Sequence, residues 1–125
     1  MRFLFASDSF KGSLTSARAA ALLRDAALEA FPDGGEGTVA AVVAATGGHL
    51  RTARVHGPLG LPVDAMYGLL EGDRAVIEMA AASGLPLVPA AERNPLATST
   101  FGTGELILDA LDQGVRGISL AIGGS

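Results

Sequence analysis

Two side chains of opposite charge, Asp8 and Lys11, stand three residues apart in Ser7-Asp8-Ser9-Phe10-Lys11-Gly12-Ser13. On one loop such a pair can act on a single small anion. The Lys supplies a compact positive charge and the Asp a base or a metal ligand, with the Ser9 and Ser13 hydroxyls beside them. A second segment, Asp33-Gly34-Gly35-Glu36-Gly37-Thr38, joins two carboxylates to three glycines just before an apolar run. Glycines let backbone N–H groups approach a ligand, and a helix start favours negative charge. A third polar segment, Thr98-Ser99-Thr100-Phe101-Gly102-Thr103-Gly104, precedes a helical pattern, and a fourth, Gly123-Gly124-Ser125, follows a strand-like one. Neither G-x-x-x-x-G-K-[ST] nor G-x-G-x-x-G occurs, so the combination of segments suggests phosphate handling more than any one of them does. Glu78 interrupts Val76-Ile77-Glu78-Met79-Ala80, and a carboxylate in an apolar run is costly unless paired or functional. Arg93-Asn94-Pro95 offers a guanidinium fork suited to a carboxylate. His49 and His56 lie seven apart on a strand-like stretch, hence on opposite faces, and read as structural; the single Tyr67 carries no signal.

These groups need elements to hold them. The short apolar run 3–6 reads as a buried strand feeding the loop of Asp8 and Lys11, the arrangement by which open α/β sheets build sites at strand ends. Residues 14–31 have a helical apolar stripe and high Ala content, with Ser13 or Thr15 as cap and Pro32 as stop. Residues 39–46 read as a second helix closed by Gly47-Gly48. Strands are expected at 50–56, 62–70 and 74–79. A turn at Gly57-Pro58-Leu59-Gly60 and a hairpin-type turn at Glu71-Gly72-Asp73 would separate them. Residues 80–84 are small and tight, 86–95 form a proline-bearing loop, 105–113 a helix ended by Gly114, and 118–122 a last strand. The middle of the chain therefore predicts an antiparallel or mixed sheet, distinct from the parallel arrangement of the beginning.

The 125 residues suffice for a domain with a real core. Half of them, 49%, are hydrophobic and only 18% are charged, which suggests a surface meant to be covered by a partner or by more of the same polypeptide. No run approaches the roughly 18 apolar residues of a membrane span, and Arg2 precedes only four apolar residues, unlike a signal peptide. Net charge is −4 with no basic stripe, which argues against nucleic acid as a partner. Cys is absent, removing disulfides, zinc–thiolate sites and thiol nucleophiles, and a cytoplasmic location is expected.

The seven segments Ser7–Ser13, Asp33–Thr38, Gly57-Pro58-Leu59-Gly60, Ile77-Glu78-Met79-Ala80-Ala81-Ala82-Ser83-Gly84-Leu85, Arg93-Asn94-Pro95-Leu96, Phe101-Gly102-Thr103-Gly104-Glu105-Leu106-Ile107 and Ile122-Gly123-Gly124-Ser125 occur in an order that resembles the bacterial glycerate kinase family, whose members use ATP to phosphorylate D-glycerate, commonly at the 2-hydroxyl. The resemblance implies a flavodoxin-like, doubly wound parallel-sheet domain plus a second mixed α/β domain, both incomplete in this chain, with the site in the cleft between them. Residues 1–56 are assigned to the first and 57–125 to the second. The chain departs from the family pattern in two ways. A strand-bearing segment of about a dozen residues usually separates Phe-Pro from Asp-Gly-Gly-Glu-Gly, whereas Phe31-Pro32 abuts Asp33-Gly34 here. Family members also continue well past Ile-Gly-Gly-Ser, so the chain is expected to be the N-terminal part of the enzyme.

Phosphoryl transfer needs positioning and charge neutralisation more than covalent help. On the implied kinase reading Asp8, Lys11, Asp33 and Glu36 are the catalytic candidates, with Asp8 and Asp33 also the candidate Mg²⁺ ligands. Ser9, Ser13, Glu78, Arg93, Asn94 and Thr103 are assigned to D-glycerate, and Gly34, Gly35, Gly123, Gly124 and Ser125 to ATP. A second copy of the chain, as a homodimer, is a further candidate partner. The alternative is a non-catalytic α/β fragment that binds an anionic metabolite without turning it over. A flavodoxin-like FMN carrier is weak, since one Tyr and no Trp leave little to stack on a flavin.

Overall fold

A computed structural model describes residues 37–125. The expected strand at 3–6, the helix at 14–31 and the candidates Asp8, Ser9, Lys11, Ser13, Asp33, Gly34, Gly35 and Glu36 lie outside the described residues.

The sheet grows from two turns that the sequence marks with glycine. Strand β1 (His49–His56) pairs antiparallel with β2 (Pro62–Leu70) along its whole length, from His49↔Leu69 to His56↔Pro62. Between them the Gly57 N–H donates to the Leu61 carbonyl at 2.6 Å, and Gly60 takes φ +79°. The expected division between residues 56 and 57 thus falls between two neighbouring strands of one sheet. The second turn puts Gly72 (φ +74°) and Asp73 (φ +53°) in the left-handed region, which Gly adopts freely and Asp tolerates better than most. Strand β3 (Arg74–Glu78) returns antiparallel to β2, and β4 (Gly117–Ala121) adds parallel to β3, giving the order β1-β2-β3-β4.

A parallel pair requires a long crossover. Here it consists of helix α2 (Met79–Ser83), two 3₁₀ turns (Leu85–Leu87 and Ala90–Glu92) and helix α3 (Phe101–Asp112). One sheet face, with Val55, Ala65, Tyr67, Ala75 and Ile77, packs against Ala82, Leu106 and Ala110 of α2 and α3 to form the core. Side chains alternate along a strand, so Gly68 and Val76 belong to the opposite face. Helix α1 (Thr38–Thr46) lies there, with Val39 and Val43 close over Gly68. No described helix is long and apolar enough to cross a membrane.

The mixed α/β architecture is present, as are the four strands expected within the described residues, β2 with the expected ends and the others shifted. Met79 does not extend β3; it opens α2, so the tight segment after Glu78 is a helical turn. Strand β1 gains His49, α1 gains Thr38, and β4 runs one residue earlier than the expected 118–122. The largest correction is α3, which starts at Phe101 rather than Glu105 and ends at Asp112 rather than Gln113. Two glycines in its first turn mask it as a loop. Gly102 is there because a Cβ at that position would lie 1.8 Å from the His56 carbonyl oxygen. The glycine answers a close approach of helix to strand, and low propensity is tolerated for it.

Two polar clusters lock α3 onto the sheet. The Asp109 carboxylate accepts from Arg51 Nε at 2.7 Å, from Arg51 Nη2 at 3.1 Å and from the Tyr67 hydroxyl at 2.6 Å, tying β1, β2 and α3 together. The Arg51 hydrogen bonds hold the Asp109 carboxyl below the ordinary carboxylate range, against its partial desolvation and with help from Tyr67. Burial, reinforced by the neighbouring Asp109, pushes the Tyr67 phenol above its ordinary value. One turn earlier, Glu105 accepts from the His56 backbone N–H at 2.7 Å and meets His56 Nδ1 at 2.9 Å, while Phe101 packs edge-on to the His56 ring. The backbone donor is the main cause of the lowered Glu105 carboxyl.

Candidate functional site

Strand β3 delivers its C-terminal end directly into α2, and two clefts open on either side of that helix. The first, about 440 Å³, is bounded by Ser83 and Gly84 at the end of α2, by Pro58 of the β1–β2 turn and by the segment carrying Arg93, Asn94, Thr98, Ser99 and Thr100; Ser125 closes it. The second, about 400 Å³, is bounded by Glu78, Asp64, Val39 and Gly124, with Leu50 and Met66 of the open sheet face.

Local chemistry fixes the first cleft. A Cβ at Gly84 would stand 2.3 Å from the Ala80 carbonyl oxygen, so only glycine lets the chain leave α2 so tightly. The Asn94 side-chain oxygen accepts from the Leu96 N–H at 3.0 Å, an Asx turn that shapes its own loop. Arg93 Nε donates to the Val88 carbonyl at 3.3 Å, anchoring one edge of the guanidinium. The Ser99 N–H donates to the Pro58 carbonyl at 2.9 Å, and the Ser99 hydroxyl accepts from the Phe101 N–H at 3.1 Å at the start of α3. The terminal glycine turn is drawn in by the Leu85 N–H, which donates to the Gly124 carbonyl at 3.0 Å, and the Ser125 hydroxyl donates to the Ile122 carbonyl at 3.0 Å. The resulting wall carries one guanidinium, one carboxamide and several hydroxyls, and none of its described residues is acidic. That composition suits a small carboxylate bearing hydroxyl groups.

The second cleft has the opposite character. Its charged residues are Asp64 and Glu78, and the Glu78 carboxylate is engaged: it accepts from the Val39 N–H in the first turn of α1 at 2.5 Å. The cap position of α1 is Gly37 (φ +95°), which has no side chain, and Glu78, 39 positions away from Val39, supplies an acceptor of the kind that a capping Ser or Asp ordinarily does.

The structure therefore brings Arg93, Asn94 and Ser125 together in one cleft and Glu78 and Gly124 in the other. Thr103 lies buried below the first cleft, its hydroxyl 2.7 Å from that of Ser83, which lines it. Gly123 is half-buried in the turn that links β4 to Gly124. Pro58 and Ser83 belong to the cleft wall and escaped sequence reasoning as site residues. Nothing in their types flags them, and only their presence in recurring segments could have. The described residues hold no cluster of three or more His, Asp or Glu side chains that could together hold a metal ion.

Known proteins share this pattern of segments. The description "Glycerate kinase family" matches residues 3–125. A glycerate kinase of Halalkalibacterium halodurans is 52% identical, over 98% of this chain and 35% of the relative. A glycerate 2-kinase of Escherichia coli K12 is 49% identical, over all of this chain and 36% of the relative. The chain thus spans about a third of the length of the curated relatives it matches. The Escherichia coli alignment extends over 136 positions, 11 more than the 125 residues here, so the relative carries internal positions with no counterpart in this chain. In three dimensions the chain resembles a crystal structure from Salmonella typhimurium LT2 described as a glycerate kinase 2, with TM-score 0.71 and 49% identity over 94% of this chain and 35% of that one. Sequence and fold agree along nearly the whole chain, and it belongs to the glycerate kinase family.

Proposed function

We propose that this chain forms part of a kinase that transfers the γ-phosphoryl group of ATP to a hydroxyl of D-glycerate, giving 2-phosphoglycerate. The observation that carries the reading is the family match over residues 3–125, joined by relatives named glycerate kinase and glycerate 2-kinase at about half identity. The cleft of Arg93, Asn94 and the hydroxyl-bearing Ser83 and Thr98–Thr100 supports it, because a hydroxy acid asks for that set. On this reading Arg93 holds the glycerate carboxylate, and Asn94 with the neighbouring hydroxyls orients the 2- and 3-hydroxyls. Lys11 neutralises phosphate charge, and one of Asp8, Asp33 and Glu36 takes the proton of the attacking hydroxyl. Gly34, Gly35 and the terminal Gly123-Gly124-Ser125 turn present backbone to the nucleotide. A Mg²⁺ ion, when bound, would neutralise phosphate charge; its ligands on this reading are Asp8 and Asp33.

The test is ATP-dependent phosphorylation of D-glycerate by the full polypeptide that contains this chain, with the product's position read by ³¹P NMR. Lys11→Ala and Asp8→Asn should each lower kcat by about 100-fold or more, the scale of losing one transition-state charge contact. Arg93→Lys should raise the KM for D-glycerate and spare that for ATP, since a point charge replaces a fork. Wild-type turnover in both Lys11→Ala and Asp8→Asn removes those residues from the chemistry. The alternative, a metabolite-binding fragment without turnover, draws on the positions that the relatives carry and this chain lacks. Calorimetric binding of D-glycerate with no product formed would favour it.

A further inference from the structure

Glu78 has the chemistry of a substrate ligand and the geometry of something else. It is buried, at 8% exposure, at the last position of β3. There it also occupies the cap position of α2, yet it does not cap that helix. Its side chain alternates with the core-facing Ile77, so its carboxylate lies on the sheet face that carries α1 and accepts from the Val39 N–H. Gly37 at the cap position of α1 has no side chain to offer, and the first turn holds no acidic residue, so this carboxylate answers both the Val39 donor and the positive end of the helix dipole. Hydrogen bonds to a charged acceptor are among the stronger ones, and removing one partner from a buried pair leaves the other unsatisfied. Helix α1 is also the element into which Asp33-Gly34-Gly35-Glu36-Gly37 leads in sequence.

We propose that Glu78 is a positioning residue: it holds the first turn of α1, the helix that directly follows the acidic glycine-rich segment in sequence, to the C-terminal end of β3, and it does so as a hydrogen-bond acceptor rather than as a charge on substrate. The proposal rests, for its kinetic consequence, on the kinase reading above; its structural half does not. Two features of the fold make the hold specific. Gly68 lets Val39 and Val43 lie against β2, so α1 is seated on the sheet by packing while Glu78 ties its first turn to the end of β3. The same strand end then opens α2, which walls the hydroxy-acid cleft, so one residue couples the two sides.

The experiment compares Glu78→Gln and Glu78→Ala in the full polypeptide, by hydrogen–deuterium exchange without any substrate and by steady-state kinetics. Glu78→Gln keeps an oxygen acceptor and loses the charge; Glu78→Ala loses both. The expected result is that α1 amides exchange about tenfold faster in Glu78→Ala while those of α3 do not change, and that Glu78→Gln restores protection. The kcat for D-glycerate phosphorylation should fall about tenfold in Glu78→Ala and recover in Glu78→Gln, with the KM for D-glycerate within about twofold of wild type throughout, as expected for loss of one such bond. Unchanged α1 exchange in Glu78→Ala overturns the proposal. So does equal loss of kcat in both variants with α1 protection intact, which would make Glu78 a charge acting on substrate. Should Glu78→Ala not fold, Glu78→Gln decides alone: protected α1 with wild-type kcat supports the proposal, and protected α1 with lost kcat refutes it. A wild-type polypeptide that fails to phosphorylate D-glycerate, with α1 exchange still responding to Glu78→Ala, would sink the kinase reading and leave the hold on α1 standing.

Discussion

Gly102 and Gly104 are two residues apart in the first turns of α3, and alanine at each should have opposite effects. At Gly102 an added Cβ would fall 1.8 Å from the His56 carbonyl oxygen and 2.9 Å from its carbonyl carbon, both backbone atoms with no rotamer to yield. Ordinary contact needs about 3.5 Å, so α3 and β1 must separate by more than 1 Å. The same displacement stretches the 2.7 Å bond from the His56 N–H to Glu105 and the 2.9 Å contact at His56 Nδ1 out of hydrogen-bonding range. Overpacking of this kind costs about 1–3 kcal/mol, and the better helix propensity of Ala returns about 1 kcal/mol at most. Because the obstacle is backbone, the upper half of that range applies, and Gly102→Ala should lose about 2 kcal/mol. Around Gly104 a Cβ meets nothing within 4 Å and φ is not positive, so Gly104→Ala should gain about 0.5–1 kcal/mol. Urea denaturation of the two variants beside wild type measures the difference, expected at about 2.5–3 kcal/mol between them. Equal stabilities would refute the close approach of α3 to His56, and with it the account of why a glycine opens that helix.

Three further outcomes follow from the polar staples and the seat of α1. Tyr67 is the single tyrosine of the chain, fully buried with its hydroxyl on Asp109, so ultraviolet titration should show no phenolate until well above pH 10, and then together with unfolding. The raised phenol contributes stability that is whole below its unfolded value near 10 and is lost as pH climbs toward the folded one; an early, reversible phenolate signal would refute the burial. Asp109 is depressed instead, so its contribution is whole at neutral pH and is lost as pH falls below about 4; Asp109→Asn should flatten the acid limb of a stability–pH profile, and an unchanged limb would refute its tie to Arg51. Gly68→Ala would drive a Cβ to 2.5 Å from Val43 and 2.8 Å from Val76, and should cost about 1–3 kcal/mol with exchange loosened in α1 before α3.

How much of this was readable in the chain depends on the range of the interaction that decides each feature. Strand β2 was legible to the residue, because glycine turns bound it on both sides and alternation runs between them. The end of β3 was misplaced by one residue: Met79 suits a strand as well as a helix, and only the small residues after it hint at a turn. Helix α3 lost its first turn in the reading because Gly102 and Gly104 count against helix locally, while the reason for Gly102 is a carbonyl 46 residues earlier.

The site divides along the same line. Arg93 and Asn94 were readable as a pair because they adjoin in sequence and their loop folds on itself, through Asn94 to Leu96. Tyr67 carried no signal because its partners Arg51 and Asp109 come from two other elements. Glu78 is the most instructive case, since the reasoning that a carboxylate cannot sit idle in an apolar run was sound and still did not identify its partner. Burial demands that such a group be satisfied but does not say by what, and a backbone N–H satisfies it as well as a ligand does. An acid flagged by its apolar surroundings is therefore evidence of a bond that must exist, and whether that bond is to substrate or to the scaffold is decided only once the neighbouring helix ends have been counted for missing caps.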